Sequence, residues 1–155
     1  MSCDAAAIAA TFWLVSTSAV APPTTTAVQP PASVAAEPLF ADIVRRAAAL
    51  KDATAAYEKG VLDAGLEHAP GFASFETAVG ELSALDMQGH VVLVQRGNTD
   101  DLKCILKGIS QDLPVKLKEL ETAPNAKTRH EALEDMFYLL RDNVEVITAP
   151  PQPAA

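Results

Sequence analysis

Aromatic residues make up only 5% of this 155-residue chain, so a packed interior must lean on Leu, Ile, Val and a few Phe. Cysteine is scarcer still. Cys3 and Cys104 are the two thiols; they make no disulfide framework, no CxxC pair exists, and the redox compartment stays open. A Cys3–Cys104 bridge would do no more than tie the N-terminal tail to the rest. Histidine is limited to His68, His90 and His130, and no two stand three or four residues apart. The residues three before them are Gly65, Met87 and Lys127, which excludes the Glu-x-x-His pairs of di-iron bundles. His130-Glu131-Ala132-Leu133-Glu134 is half of an HExxH motif, with Glu where the second zinc-binding His would stand. There is no DxDxDG calcium loop. No catalytic residue, cofactor or metal is expected.

Clustered basic charge is also missing. The net charge is −8, and binding a phosphate backbone needs grouped Lys and Arg. The nearest approach to a cluster, Lys103, Lys107, Lys116 and Lys118, is interleaved with Asp100, Asp101 and Asp112. Nucleic acid is therefore not an expected partner. Electrostatic docking on an anionic membrane is disfavoured for the same reason.

What is present divides into four parts. Residues 1–21 contain an apolar run, AAAIAATFWLVSTSAVA, without one charge. At residues 5–21 it is shorter than the roughly 20 residues of a membrane span. Thr17-Ser18-Ala19 offers small residues for cleavage, yet only Asp4 stands where an export signal carries basic residues, and Pro22 follows directly. Three readings stay open: an export or lumen-targeting signal, a hydrophobic anchor or partner-docked helix, and a buried helix of the same domain. Membrane contact, if made, would run through residues 5–21. Residues 22–38, PPTTTAVQPPASVAAEP, have linker composition. Residues 149–155 repeat that style.

Residues 39–148 are expected to form a small all-α four-helix bundle, preceded by the apolar segment and the Pro-rich linker. Leu39, Ile43, Ala47, Leu50, Thr54, Tyr57 and Val61 fall within one third of a helical circle, widened by Phe40 and Val44. Glu37-Pro38 suits the first turn. Phe72, Phe75, Val79 and Leu82 predict a second helix, continuing less clearly to Gly89. His90-Val91-Val92-Leu93-Val94-Gln95 is ambiguous: its valines suit a strand, but no partner strand is evident, so helix is favoured. Asn98-Thr99-Asp100-Asp101 predicts the start of a third helix carrying Leu102, Ile105, Leu106, Ile109, Leu113, Leu117 and Leu120. Pro114 should kink or restart it, with Asp112 as a new cap. The fourth helix carries Leu133, Met136, Phe137, Leu140, Val144 and Ile147. Four such stripes cannot be buried singly, and antiparallel packing is the simplest solution.

Two features are candidates for partner contact. Between Lys59 and Arg96 there is no basic residue, while Asp63, Glu67, Glu76, Glu81 and Asp86 form an acidic sector suited to a basic partner. Cys104, about half a turn away from the third apolar stripe, lies beside Lys103 and Lys107, a setting that lowers thiol pKa values. Leu106-Lys107-Gly108 resembles the end of the His-x-Leu-Lys-Gly motif of histidine phosphotransfer domains, which are also four-helix bundles. In that register Cys104 stands where the phosphorylated His would be. The resemblance thus implies a degenerate docking relative without His phosphotransfer; the lysine setting of Cys104 separately offers a thiol-dependent signalling bundle centred on Cys104 and Lys107. The order of apolar segment, proline-rich arm and small bundle also resembles the PsbQ-like extrinsic lumenal subunits of photosystem II. That resemblance, of build only, implies a non-catalytic stabiliser. Together these readings favour a non-enzymatic accessory subunit that contacts other protein subunits in an exported, lumenal or membrane-associated setting. Small-molecule binding within the bundle core is a further alternative.

Overall fold

The computed structural model describes residues 34–60, 65–98 and 101–149. The apolar segment 5–21, most of the linker, Val61, Asp63 and the last residues of the tail lie outside them. Among the described residues there are four α-helices and no strand: α1 (Pro38–Gly60), α2 (Phe72–Gln95), α3 (Leu102–Thr122) and α4 (Ala126–Thr148), with one 3-10 turn at Leu66–His68. The all-α four-helix bundle is the fold.

Packing follows chain order around a square. α1 lies beside α2 and α4, and α3 lies beside α2 and α4. Cross-helix bonds give the directions. The start of α1 meets the end of α2 through Glu37 and Arg96, whose guanidinium donates to both carboxylate oxygens at 2.9 and 2.7 Å. Its far end meets the start of α2, where Tyr57 packs edge-on against Phe72 and Phe75. Ser83 and His90 of α2 reach Ser110 and Lys103 of α3 in antiparallel register. Lys116 of α3 reaches Asp135 of α4 at 2.9 Å, and Glu58 of α1 lies 3.3 Å from His130 near the start of α4. Each neighbouring pair is antiparallel, so α2 and α4 run parallel across one diagonal.

The core comes from the expected stripes. Phe40, Ile43, Ala47 and Leu50 of α1, Phe75, Val79, Leu82 and Leu93 of α2, Leu106, Leu113 and Leu120 of α3, and Leu133, Met136, Leu140 and Ile147 of α4 are buried together. Thr54 is buried among them without an orphaned group, because its hydroxyl donates back to the Leu50 carbonyl at 2.9 Å.

Helix ends obey local chemistry. Asn125 caps α4: its side chain accepts from the Thr128 N–H at 3.0 Å while the Thr128 hydroxyl accepts from the Asn125 N–H. α2 ends in a Schellman arrangement, with Asn98 N–H donating to Leu93 O and Gly97 N–H to Val94 O. Gly97 makes this possible at φ 70°.

Two expectations resolve here. Residues 90–95 are helix, the last turns of one continuous α2. The reason is register: Leu82, Asp86, Gly89 and Leu93 all face inward, so α1 and α3 bury this stretch as a helix despite its valine content. The expectation that the helix restarts at Pro114 with Asp112 as its cap needs correction. α3 passes through Pro114 without interruption, and Asp112 is exposed and caps nothing. Proline has no N–H to give the carbonyl four residues earlier, which is that of Ser110. The Ser83 hydroxyl on α2 donates to that carbonyl at 2.7 Å. A neighbouring helix thus supplies the bond that α3 lacks.

Candidate functional surface

The outer face of α2 differs from the rest of the bundle. Its exposed positions are Ala73, Ser74, Thr77, Gly80, Glu81, Ala84, Gln88, Val91, Val94 and Gln95. Glu81 is the one charged residue in that series, and the Arg46 guanidinium engages it at 2.7 Å. Val91 is 43% and Val94 48% exposed. From Ala84 to Gln95 the outward positions carry neither charge nor a long aliphatic chain that would demand burial within the monomer.

The outer faces of α3 and α4 are charged and internally paired. Lys116 bridges Glu119 and Asp135, each at 2.9 Å. Lys118 pairs with Glu121, and Arg141 with Asp142. Exposed pairs of this kind add little stability, but they keep the surface hydrated. Between the end of α3 and the start of α4 lies an open depression of about 330 Å³, lined by residues that include Glu119, Thr122, Pro124, Thr128, Glu131 and Asp135. Its carboxylates are like-charged, and Lys116 already neutralises two of them.

The acidic sector does not assemble as one patch. Asp63 lies outside the described residues, and the side chain of Glu67 is likewise not described. Glu76 is half-buried and Glu81 is exposed but paired. Asp86 requires correction: it faces no partner, being completely buried. Its position was readable, because Leu82, Asp86, Gly89 and Leu93 continue the apolar stripe of α2 at helical spacing. Grouping it with other acids along the chain hid that register.

Asp86 meets Asn143 of α4 across the bundle diagonal, with Asn143 Nδ2 donating to Asp86 Oδ2 at 2.8 Å. Both side chains are fully buried, and both remaining oxygens, Asp86 Oδ1 and Asn143 Oδ1, have no hydrogen-bond partner. Burial pushes the Asp86 carboxyl up to about 7 from its ordinary value of 3.8, against a smaller lowering by the Asn143 bond.

Cys104 and Lys107 sit half-buried on α3. Cys104 is disulfide-bonded, and the one other cysteine in the sequence is Cys3, outside the described residues. In this state no free thiol stands beside Lys107 to act as a nucleophile. The carbonyl of Lys107 accepts from the Ser110 hydroxyl at 2.8 Å, an ordinary intrahelical contact. His90 donates from Nδ1 to the Lys103 carbonyl at 2.6 Å. Among the described residues no group of His, Cys, Asp and Glu is arranged to hold a metal ion, and no helix is long and apolar enough to cross a membrane.

No family model, no curated protein and no solved structure matches this chain. Neither the phosphotransfer resemblance nor the photosystem resemblance is therefore carried by an overall match.

Proposed function

We propose that the protein is a non-enzymatic helical-bundle interaction protein, an accessory or stabilising subunit that docks on other protein subunits of a larger assembly through the outer face of α2. One observation carries this reading: from Ala84 to Gln95 the exposed positions of α2 bear no charge and include two half-exposed valines, while Glu76 and the Arg46-paired Glu81 lie nearer its start. Desolvating the stretch from Ala84 to Gln95 costs little, since no ion there has to lose its water. Covering Val91 and Val94 contributes on the order of 1 kcal/mol each. The partner would present a neutral, largely apolar surface. In this proposal the apolar segment 5–21 sets an exported, lumenal or membrane-associated location, and the proline-rich arms extend the contact area.

Size-exclusion of gentle native extracts tests it. The chain should elute in an assembly well above its own 16.3 kDa. The doubly substituted Val91→Asp, Val94→Asp chain should elute at monomer mass while still unfolding cooperatively, with a modest fall in melting temperature from acids placed in the last turns of α2. Wild-type protein running alone, or a double variant still held in the assembly, would refute the proposal.

A further inference from the structure

We infer that Asp86 is protonated in the folded bundle and that its hydroxyl donates to Asn143 Oδ1, closing a two-bond acid–amide ring that makes the α2–α4 diagonal a pH-sensitive clamp. The argument begins from satisfaction. A buried polar atom without a partner is costly, and this pair shows two such atoms, both oxygens. If Asp86 were ionised, both oxygens would be pure acceptors and neither could satisfy the other.

A carboxylic acid and a carboxamide are planar groups, each with two polar atoms on one carbon. With Asn143 Nδ2 already joined to Asp86 Oδ2 at 2.8 Å, an edge-to-edge pairing of the two groups would set the remaining oxygens against each other. A single proton on Asp86 Oδ1 then gives Asn143 Oδ1 a donor. One proton thus satisfies both orphaned atoms, which no rotation of the Asn143 amide does.

No ion competes for control of this carboxyl. On α1 the half-buried charges are Asp42 and Arg46, bound to each other with Arg46 also on Glu81, then Lys51, and Glu58, which lies against His130. On α2 itself His90 stands one turn away, but its Nδ1 faces the Lys103 carbonyl. On α3 Lys103 and Lys107 are half-buried; on α4 Arg141, Asp142 and Glu145 pair with one another. Burial and the Asn143 bond are the influences that act on Asp86, and no charged neighbour is among them.

The sign follows. The folded chain holds this proton more tightly than the unfolded chain, so the clamp contributes fully below about 3.8 and is withdrawn as pH rises to about 7. Over that window the folding constant should fall roughly tenfold per pH unit, then level off. The clamp itself is therefore tightest in mildly acidic surroundings.

Urea unfolding of the full chain between about pH 4 and about pH 8 tests the clamp, with wild type set against Asp86→Asn. The new amide can form the same ring with Asn143 but cannot titrate. Wild type should lose roughly tenfold more per unit than the variant up to near neutrality. Parallel curves would overturn the inference. Should the variant fail to fold, carbon-13 titration of the Asp86 carboxyl in the wild-type chain decides: titration near neutrality supports the clamp, and titration in the ordinary carboxylate range removes it.

Discussion

The bond between Ser83 and Ser110 makes a sharp quantitative prediction, because its reason for existing is a proline four residues further on. Pro114 leaves the Ser110 carbonyl without its intrahelical donor, and Ser110 itself is 4% exposed, so water is a poor substitute. The Ser83 hydroxyl fills the vacancy at 2.7 Å. Ser83→Ala should therefore destabilise the bundle by about 1–2 kcal/mol, the cost of a buried carbonyl left unpaired. That is a fall of about 4 °C in melting temperature for each kcal/mol.

Pro114→Ala restores an N–H at position 114, and the helix then satisfies its own carbonyl. Because Pro114 is exposed and its ring is poorly suited to a helix interior, that variant should be stabilised by about 1 kcal/mol or more. In the Pro114→Ala background the Ser83→Ala cost should drop below about 0.5 kcal/mol, giving a coupling energy of about 1 kcal/mol. A double-mutant cycle by urea denaturation, followed by circular dichroism, measures it. If Ser83→Ala costs the same in both backgrounds, the serine acts by packing alone and the compensation argument is wrong.

Glycine positions give a contrasting pair of outcomes. An added Cβ at Gly80 or Gly108 meets nothing within 4 Å, so Gly80→Ala and Gly108→Ala should each stabilise by about 0.5–1 kcal/mol; a lower melting temperature in either would contradict this. At Gly89 the same atom would lie 3.1 Å from Leu106 and 3.3 Å from both Ile43 and Phe40, so overpacking of about 1–3 kcal/mol should outweigh the helix gain. Calorimetry that shows Gly89→Ala as stable as Gly80→Ala would mean the core yields more easily than the geometry indicates. Asn125→Ala removes the α4 capping box and should cost about 1 kcal/mol, whereas Asn125→Ser should recover most of it.

Much of the fold was legible because helical periodicity is a local property. Spacings of three and four residues place Ile43, Ala47 and Leu50, or Met136, Leu140 and Ile147, on one face whatever they later touch. Pro38 marks a helix start by chemistry confined to a few residues; the parts played by Gly97 and the Asn125–Thr128 pair came from the structure. The segment 90–95 was less secure, since valine suits strand as well as helix; burial of Gly89 and Leu93 against neighbouring helices decided it.

The site was only partly legible. The neutral outer face of α2 becomes visible only once that segment has a helical phase, because the phase determines that Val91 and Val94 point outward while Leu93 points in. The acidic sector was read by proximity along the chain, which is a poor guide to a helix surface; α2 turns Asp86 to the core and Glu81 to Arg46. Composition, absence of ligand-spaced His and Cys, and four amphipathic stripes belong to the sequence alone. The partners of Asp86, Ser83 and Gly89 do not. Asn143 is 57 residues from Asp86 and Ser110 is 27 from Ser83, and only the packing of whole helices brings such groups within hydrogen-bonding reach. A residue's neighbours along the chain fix which way it faces, and the helices packed around it determine what that facing means.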